Sequence, residues 1–113
     1  MSKLKTGDIV KFDIKDKQYA KDGFAMGGIF KCANDELEIF RRIDIETFPS
    51  CNDFKGATTK VKHGNIALIL RKVGRPFKIQ ANLKEWETYD VYEVLTSQFT
   101  ICCAFKYNLK KIF

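Results

Sequence analysis

The chain is predicted to be a mainly β protein, because short apolar segments alternate in hydrophobicity with a period of two residues. Turn-forming residues separate these segments at close intervals. Helices that would join parallel strands are not visible in the pattern, so an α/β sheet is not expected. A small β-barrel is the first expectation and a β-sandwich is the alternative. The predicted strands are residues 8–14, 29–32, 37–48, 57–62, 66–70, 89–95, 99–105 and 108–112.

The first predicted strand follows a turn at Thr6-Gly7, and in it Val10, Phe12 and Ile14 alternate with other residues. Residues 15–28 mix charges with three glycines and are expected to form a loop.

The next segments of the chain give weaker patterns. Residues 29–32 fit a short strand, and residues 33–36 fit either a turn or the N-cap of a helix. Residues 37–48 fit a strand better than a helix, since three isoleucines add β-propensity, and Pro49 ends the segment.

The second half of the chain has clearer strand signals. Residues 63–65, His-Gly-Asn, predict a tight turn before the continuous apolar run 66–70. Five apolar residues in a row predict a strand that is covered on both faces and ends at Arg71-Lys72. Residues 73–88 are expected to be a long connection. Residues 96–98 are then the loop of a hairpin, and residues 108–112 a last short strand.

A chain of 113 residues with 45% hydrophobic residues predicts one domain with one core. Its net charge of +6 is unevenly distributed. Residues 1–54 carry nine Lys or Arg against ten acids, whereas residues 55–113 carry eleven against four. The second half therefore holds all the excess positive charge, which favours an anionic partner.

The cysteines and the chain start point to a cytoplasmic protein with no metal and no cofactor. No run of residues is long and apolar enough to span a membrane, and the first residues lack the apolar core of a signal peptide. Four cysteines in a cytoplasm are expected as buried thiols. No C-x-x-C or H-x-x-x-H pair occurs, which argues against a zinc site.

Catalytic motifs are absent from the sequence, so a non-enzymatic protein is expected. His63, the one histidine, lies in a predicted turn without a nucleophile motif around it. Gly27-Gly28 is part of neither a G-x-G-x-x-G nor a Walker motif.

Basic residues around an aromatic ring predict nucleic-acid binding, or contact with a nucleoprotein machine, by the second half of the chain. Cations neutralise phosphates, and an exposed ring gives a base a stacking surface. The alternative is that the rings are buried and the cations only solubilise the protein. The candidate residues are Lys60, Lys62, Arg71, Lys72, Arg75, Phe77, Lys78, Lys106, Lys110 and Lys111.

A protein-interaction module is the alternative function. Trp86, Tyr89 and Tyr92, together with Phe99, could line an aromatic groove for a partner segment. Edge strands would also allow a homodimer, and the sequence fits a monomer equally well.

Five segments of the chain resemble the strands of an SH3-like small barrel of the KOW type, a pattern also found in small phage proteins of unknown role. The segments are residues 5–12, 63–70, 89–95, 99–105 and 106–112. The resemblance implies a single barrel domain over residues 1–113 with a long insertion at about residues 15–62. The resemblance to phage proteins also suggests one example of the protein-interaction alternative: a phage factor that binds a host protein in the host cytoplasm. Barrels of this kind serve many roles, so the resemblance implies a fold more than a function.

Overall fold

The computed structural model describes residues 4–13, 29–32, 36–43, 45–46, 58–75 and 90–112. Within these ranges the chain is mainly β, as predicted. A short 3-10 helix, Lys106–Asn108, directly precedes the last strand. The strands are β1 Ile9–Phe12, β2 Ile29–Cys32, β3 Glu36–Phe40, β4 Thr58–Lys62, β5 Ile66–Gly74, β6 Val91–Thr96, β7 Ile101–Phe105 and β8 Leu109–Lys111.

These strands form two antiparallel sheets. The larger sheet has five strands in the order β7-β6-β5-β1-β8, and the smaller has three in the order β2-β3-β4. Among the described residues β7 and β8 are the edges of the larger sheet, so strand pairing does not close it into a barrel. The smaller sheet lies within the predicted insertion, which is therefore more than a loop.

The predicted turn at residues 63–65 joins the two sheets. Gly64 has a φ of +88°, a left-handed conformation that glycine adopts without steric cost. The Asn65 side chain accepts a hydrogen bond from the Lys62 amide at 2.9 Å, and the Asn65 amide donates to the Lys62 carbonyl at 3.0 Å. These bonds fix the direction in which β5 leaves β4.

Strand β5 differs from its prediction in length and in burial. It continues to Gly74 instead of ending at Leu70, because Arg71 and Lys72 still pair with β6 and reach acids there. The strand has register shifts on both sides of this pair of cations, which bend it locally. The prediction of cover on both faces was wrong: Ala67 and Ile69 are buried, whereas Ile66 at the strand's start is 50% exposed.

The strand predicted over residues 37–48 is shorter than expected. Strand β3 ends at Phe40, and Leu37 and Ile39 turn their side chains into the core. Ile43 is buried and Ile45 packs against the core, both beyond the strand's end. The alternation of hydrophobicity correctly predicted that Leu37 and Ile39 share a buried face. It did not predict the end of the strand, because apolar residues follow Phe40, where pairing with β4 stops.

One hydrophobic core joins the two sheets. Buried residues of β3 and β4 belong to the same cluster as those of β1, β5, β6 and β7. Strand β3 packs against β7, and the thiol of Cys103 donates to the carbonyl of Arg41 at 3.9 Å. Cys102 and Cys103 are both buried free thiols, as predicted.

Candidate binding surface

The larger sheet has one face in the core and a second face that is covered only in part. Val10 on β1 and Ala67 on β5 pair across the strands, and both are buried. Because side chains alternate along a strand, Ile9 and Leu68 point to the opposite face. At the β7 end of that second face, Cys103 lies under the segment that follows β3.

Five aliphatic residues form a continuous line across the second face. Ile9 pairs with Leu68, Leu68 with Leu95, and Leu95 with Ile101. The Ile112 amide donates to the Ile9 carbonyl at 3.1 Å and extends the line beyond β8. We call these five residues the apolar row: Ile112, Ile9, Leu68, Leu95 and Ile101.

The apolar row is accessible to solvent along its length. Ile101 and Ile112 at its ends are 49% and 40% exposed, and the three central residues are half-buried. Ile66 lies on the same face, two residues before Leu68, and is 50% exposed. Single exposed aliphatic residues are common on soluble proteins, but here five form a line and a sixth lies beside it.

Two lysines lie next to the apolar row on the same face. Lys11 is directly opposite Lys110 on β8 and opposite Ile66 on β5. Like charges in this cross-strand position destabilise a sheet. Among the described residues neither lysine has an acid within ion-pair distance. This flank of the apolar row therefore carries uncompensated positive charge.

The turn of the hairpin between β6 and β7 carries an exposed aromatic residue. Phe99 is 86% exposed and has a φ of +60°. Its amide donates to the Thr96 carbonyl at 2.9 Å, and the Thr96 amide donates to the Thr100 carbonyl at 2.9 Å. The hydrogen bonds between Thr96 and Thr100 enclose a loop of residues 97–99, one residue later than the predicted 96–98. In three-residue hairpin loops the left-handed position is usually glycine. A residue with a side chain costs roughly 1–2 kcal/mol there.

Four of the eight described cations that were predicted to bind nucleic acid form ion pairs with acids. Arg75 Nε lies 2.8 Å from Asp90 Oδ1, and Lys72 Nζ lies 3.3 Å from Asp90 Oδ2. Lys111 Nζ lies 3.6 Å from Asp8 Oδ2, and the Arg71–Glu93 pair has a distance of 3.3 Å. Three acids, Asp8, Asp90 and Glu93, therefore partner these four cations, and a phosphate would have to compete with them.

The other four described cations lie on the smaller sheet, in the 3-10 helix and on β8. Lys60 and Lys62 on β4 lie directly opposite Glu38 and Glu36 on β3, in the smaller sheet. Lys106 is half-buried in the 3-10 helix. Lys110 is exposed and is the one that adjoins the apolar row.

The aromatic residues predicted as binding groups have different outcomes. Tyr92 is only 4% exposed and belongs to the core, so it does not line a surface groove. The alternation of these residues fits core burial as well as a surface groove, and for Tyr92 the structure shows burial. Four predicted residues lie outside the described ranges: Phe77, Lys78, Trp86 and Tyr89.

The described residues form no evident centre for catalysis or metal binding. Burial, and then the neighbouring Cys103 thiol, raise the pKa of Cys102 to about 12, so this thiol is not a nucleophile at neutral pH. Burial also raises the pKa of Cys103. No three His, Cys, Asp or Glu side chains in the described part of the chain come together to hold a metal ion.

Within the same ranges, no helix has the length and apolarity to cross a bilayer. Comparison with known protein families, with curated protein sequences and with solved structures finds no match to this chain.

Proposed function

We propose that this chain is a non-enzymatic binding module that contacts a partner protein through the apolar row. The observation that carries the proposal is the line of five accessible aliphatic residues across the larger sheet. Burial of such a surface is the main favourable term in protein association. The two sheets share one hydrophobic core, so the surface is formed before a partner binds.

The charges beside the apolar row indicate the chemistry of the partner. A carboxylate placed between Lys11 and Lys110 would relieve their mutual repulsion. The partner is therefore a protein segment that combines apolar side chains with Asp or Glu. Electrostatic attraction to this +6 chain would also speed its association.

Nucleic acid, the first hypothesis from the sequence, has less support in the geometry. Four of its candidate residues already pair with acids, and phosphates would have to compete with those acids. The apolar row provides aliphatic groups rather than aromatic rings for stacking bases.

An SH3-like arrangement of the larger sheet is part of the same proposal. The five segments that resemble the barrel in sequence contribute the five strands of one sheet, and the closing strand β8 pairs with the first strand β1. In this arrangement the smaller sheet is the insertion between the first and second barrel strands. Because β7 and β8 do not pair with each other, the proposal concerns the order of the strands and not a closed barrel.

Selection from a library of displayed random peptides tests the proposed function directly. The selected peptides are expected to combine apolar residues with Asp or Glu. Replacing two half-exposed residues, Ile66→Thr with Ile101→Thr, should weaken their binding about tenfold or more while β-propensity is kept. Lys60→Gln, on the smaller sheet, is the matched surface control and should leave binding unchanged. Calorimetry with synthetic peptides gives the affinities.

Two outcomes would overturn the proposed function. One is a selection that yields no peptide, or peptides that bind the double variant as tightly as the parent. The other is a mixed-sequence single-stranded oligonucleotide that binds with steep salt dependence and ignores the double variant, which would favour the nucleic-acid hypothesis.

A further inference from the structure

We propose that Phe99 at the β6–β7 hairpin is a contact residue for the bound protein segment, kept for binding at the expense of the turn's own geometry. The inference deepens the proposed function and rests on it. It is carried by a separate observation: a bulky residue in a left-handed conformation whose ring is 86% exposed. Strained backbone with no packing benefit is characteristic of functional positions.

The ring of Phe99 has little to contribute to folding. An exposure of 86% means that it buries almost no surface in the folded chain. The turn is held by other groups, since the Thr96 hydroxyl accepts hydrogen bonds from the amides of Gln98 at 3.3 Å and Thr100 at 3.2 Å. Glycine or asparagine would fit the left-handed position better than phenylalanine.

Phe99 lies at the same end of the sheet as the most exposed aliphatic residues. Ala67 pairs with Thr96, which places Ile66 beside the turn, and Ile101 follows Phe99 by two residues. An aromatic residue at the same end of a sheet as accessible isoleucines fits the composition of an interface hot spot. Since Lys11 is opposite Ile66, the same end of the surface also supplies positive charge for an acidic partner.

Variants of Phe99 separate binding from stability. Phe99→Gly and Phe99→Asn should keep or raise the melting temperature, because both residues accept a positive φ more easily. The affinity for synthetic acidic-apolar peptides selected on the parent should fall at least about tenfold. Phe99→Tyr keeps the ring and should retain affinity within about threefold. Thermal unfolding by circular dichroism and peptide calorimetry on the full chain provide both readings.

The results also distinguish this inference from the proposed function. A lower melting temperature in both Phe99→Gly and Phe99→Asn would show that the ring supports the fold, and would overturn the inference without any ligand. Unchanged peptide affinity in the Phe99→Gly and Phe99→Asn variants would overturn the inference about Phe99. The proposed function would still stand if the Ile66→Thr, Ile101→Thr variant lost binding. If the protein bound vesicles of anionic phospholipid through Phe99 and bound no selected peptide, the inference and the proposed function would both be overturned in favour of a lipid surface.

Discussion

The two sheets of this protein share a core but present different outer surfaces. On the smaller sheet, Glu36 and Glu38 lie directly opposite Lys62 and Lys60, so charges of opposite sign alternate across two strands. The outer face of the larger sheet instead carries the apolar row and two lysines, Lys11 and Lys110, which lie directly opposite each other. Cross-strand pairs of opposite charge stabilise a sheet, and like charges weaken it.

This difference indicates a division of roles between the sheets. On the smaller sheet, charges of opposite sign face each other across β3 and β4, which suits contact with solvent. The surface of the larger sheet combines exposed apolar area with unpaired like charge and a strained aromatic residue, and the last two cost stability in the free chain. The three features together on one sheet are expected where a partner binds.

The largest predicted effect tests whether the two sheets fold as one unit. Ile39 on β3 and Ile69 on β5 are both fully buried in the shared core. Replacing either by alanine should lower the free energy of unfolding by about 2–5 kcal/mol. Urea denaturation should show a single transition in each variant, because loss of either side chain opens the same core.

Hydrogen exchange shows whether the smaller sheet is instead an independent unit. In Ile39→Ala the amides of β5 and β6 should lose protection as much as those of β3. If β5 and β6 kept the parent's protection while β3 exchanged freely, the shared-core description would be wrong and the comparison would be between two separate folding units.

Strand positions could be predicted from the sequence where alternation coincided with a buried face. Val10 and Phe12 are fully buried, as their alternation predicted. The start of β3 was also predicted, but its end was not, because Ile43 is buried without being in a strand. Hydrophobic pattern reports burial, and burial does not require strand pairing.

The binding surface could not be predicted in the same way, because it depends on register and on ion pairs between distant residues. The sequence does not show that Asp8 would neutralise Lys111 at the other end of the chain, or that Asp90 would meet both Arg75 and Lys72. The apolar row draws a single residue from each of the five segments of the sheet. It becomes visible only when the pairing of the strands is known.

A second prediction concerns alkaline pH at β7, where the two sheets meet. The pKa of Cys102 is raised from its ordinary value of 9.0 to about 12, chiefly by burial. The unfolded chain therefore loses this proton first, and the stabilising effect is present below pH 9 and lost as the pH rises towards 12. The loss should approach about 1.4 kcal/mol for each pH unit in that range.

Comparison with a variant isolates the thiol from other groups that titrate at high pH. Cys102→Ala should show a shallower fall in unfolding free energy between pH 9 and pH 11 than the parent, measured by urea denaturation at each pH. Equal slopes in parent and variant would mean that the thiol ionises as readily in the folded state as in the unfolded state. Burial at the contact between the sheets would then not govern its proton.

The smallest predicted effects have opposite signs on the two sheets. On the smaller sheet, Glu38→Lys places a lysine opposite Lys60 and should lower the free energy of unfolding by about 0.2–1 kcal/mol. On the larger sheet, Lys11→Glu places an acid opposite Lys110 and should raise the free energy of unfolding by a similar amount. Both effects should shrink in high salt, since the groups are accessible to ions. The double variant Glu38→Lys, Lys60→Glu again has opposite charges in this pair and should recover the parent's stability. The Lys11→Glu variant should bind acidic peptides more weakly than the parent, although it is more stable. If Lys11→Glu instead destabilised the sheet, the lysine pair would be a structural element of the free chain rather than a cost that an acidic partner removes.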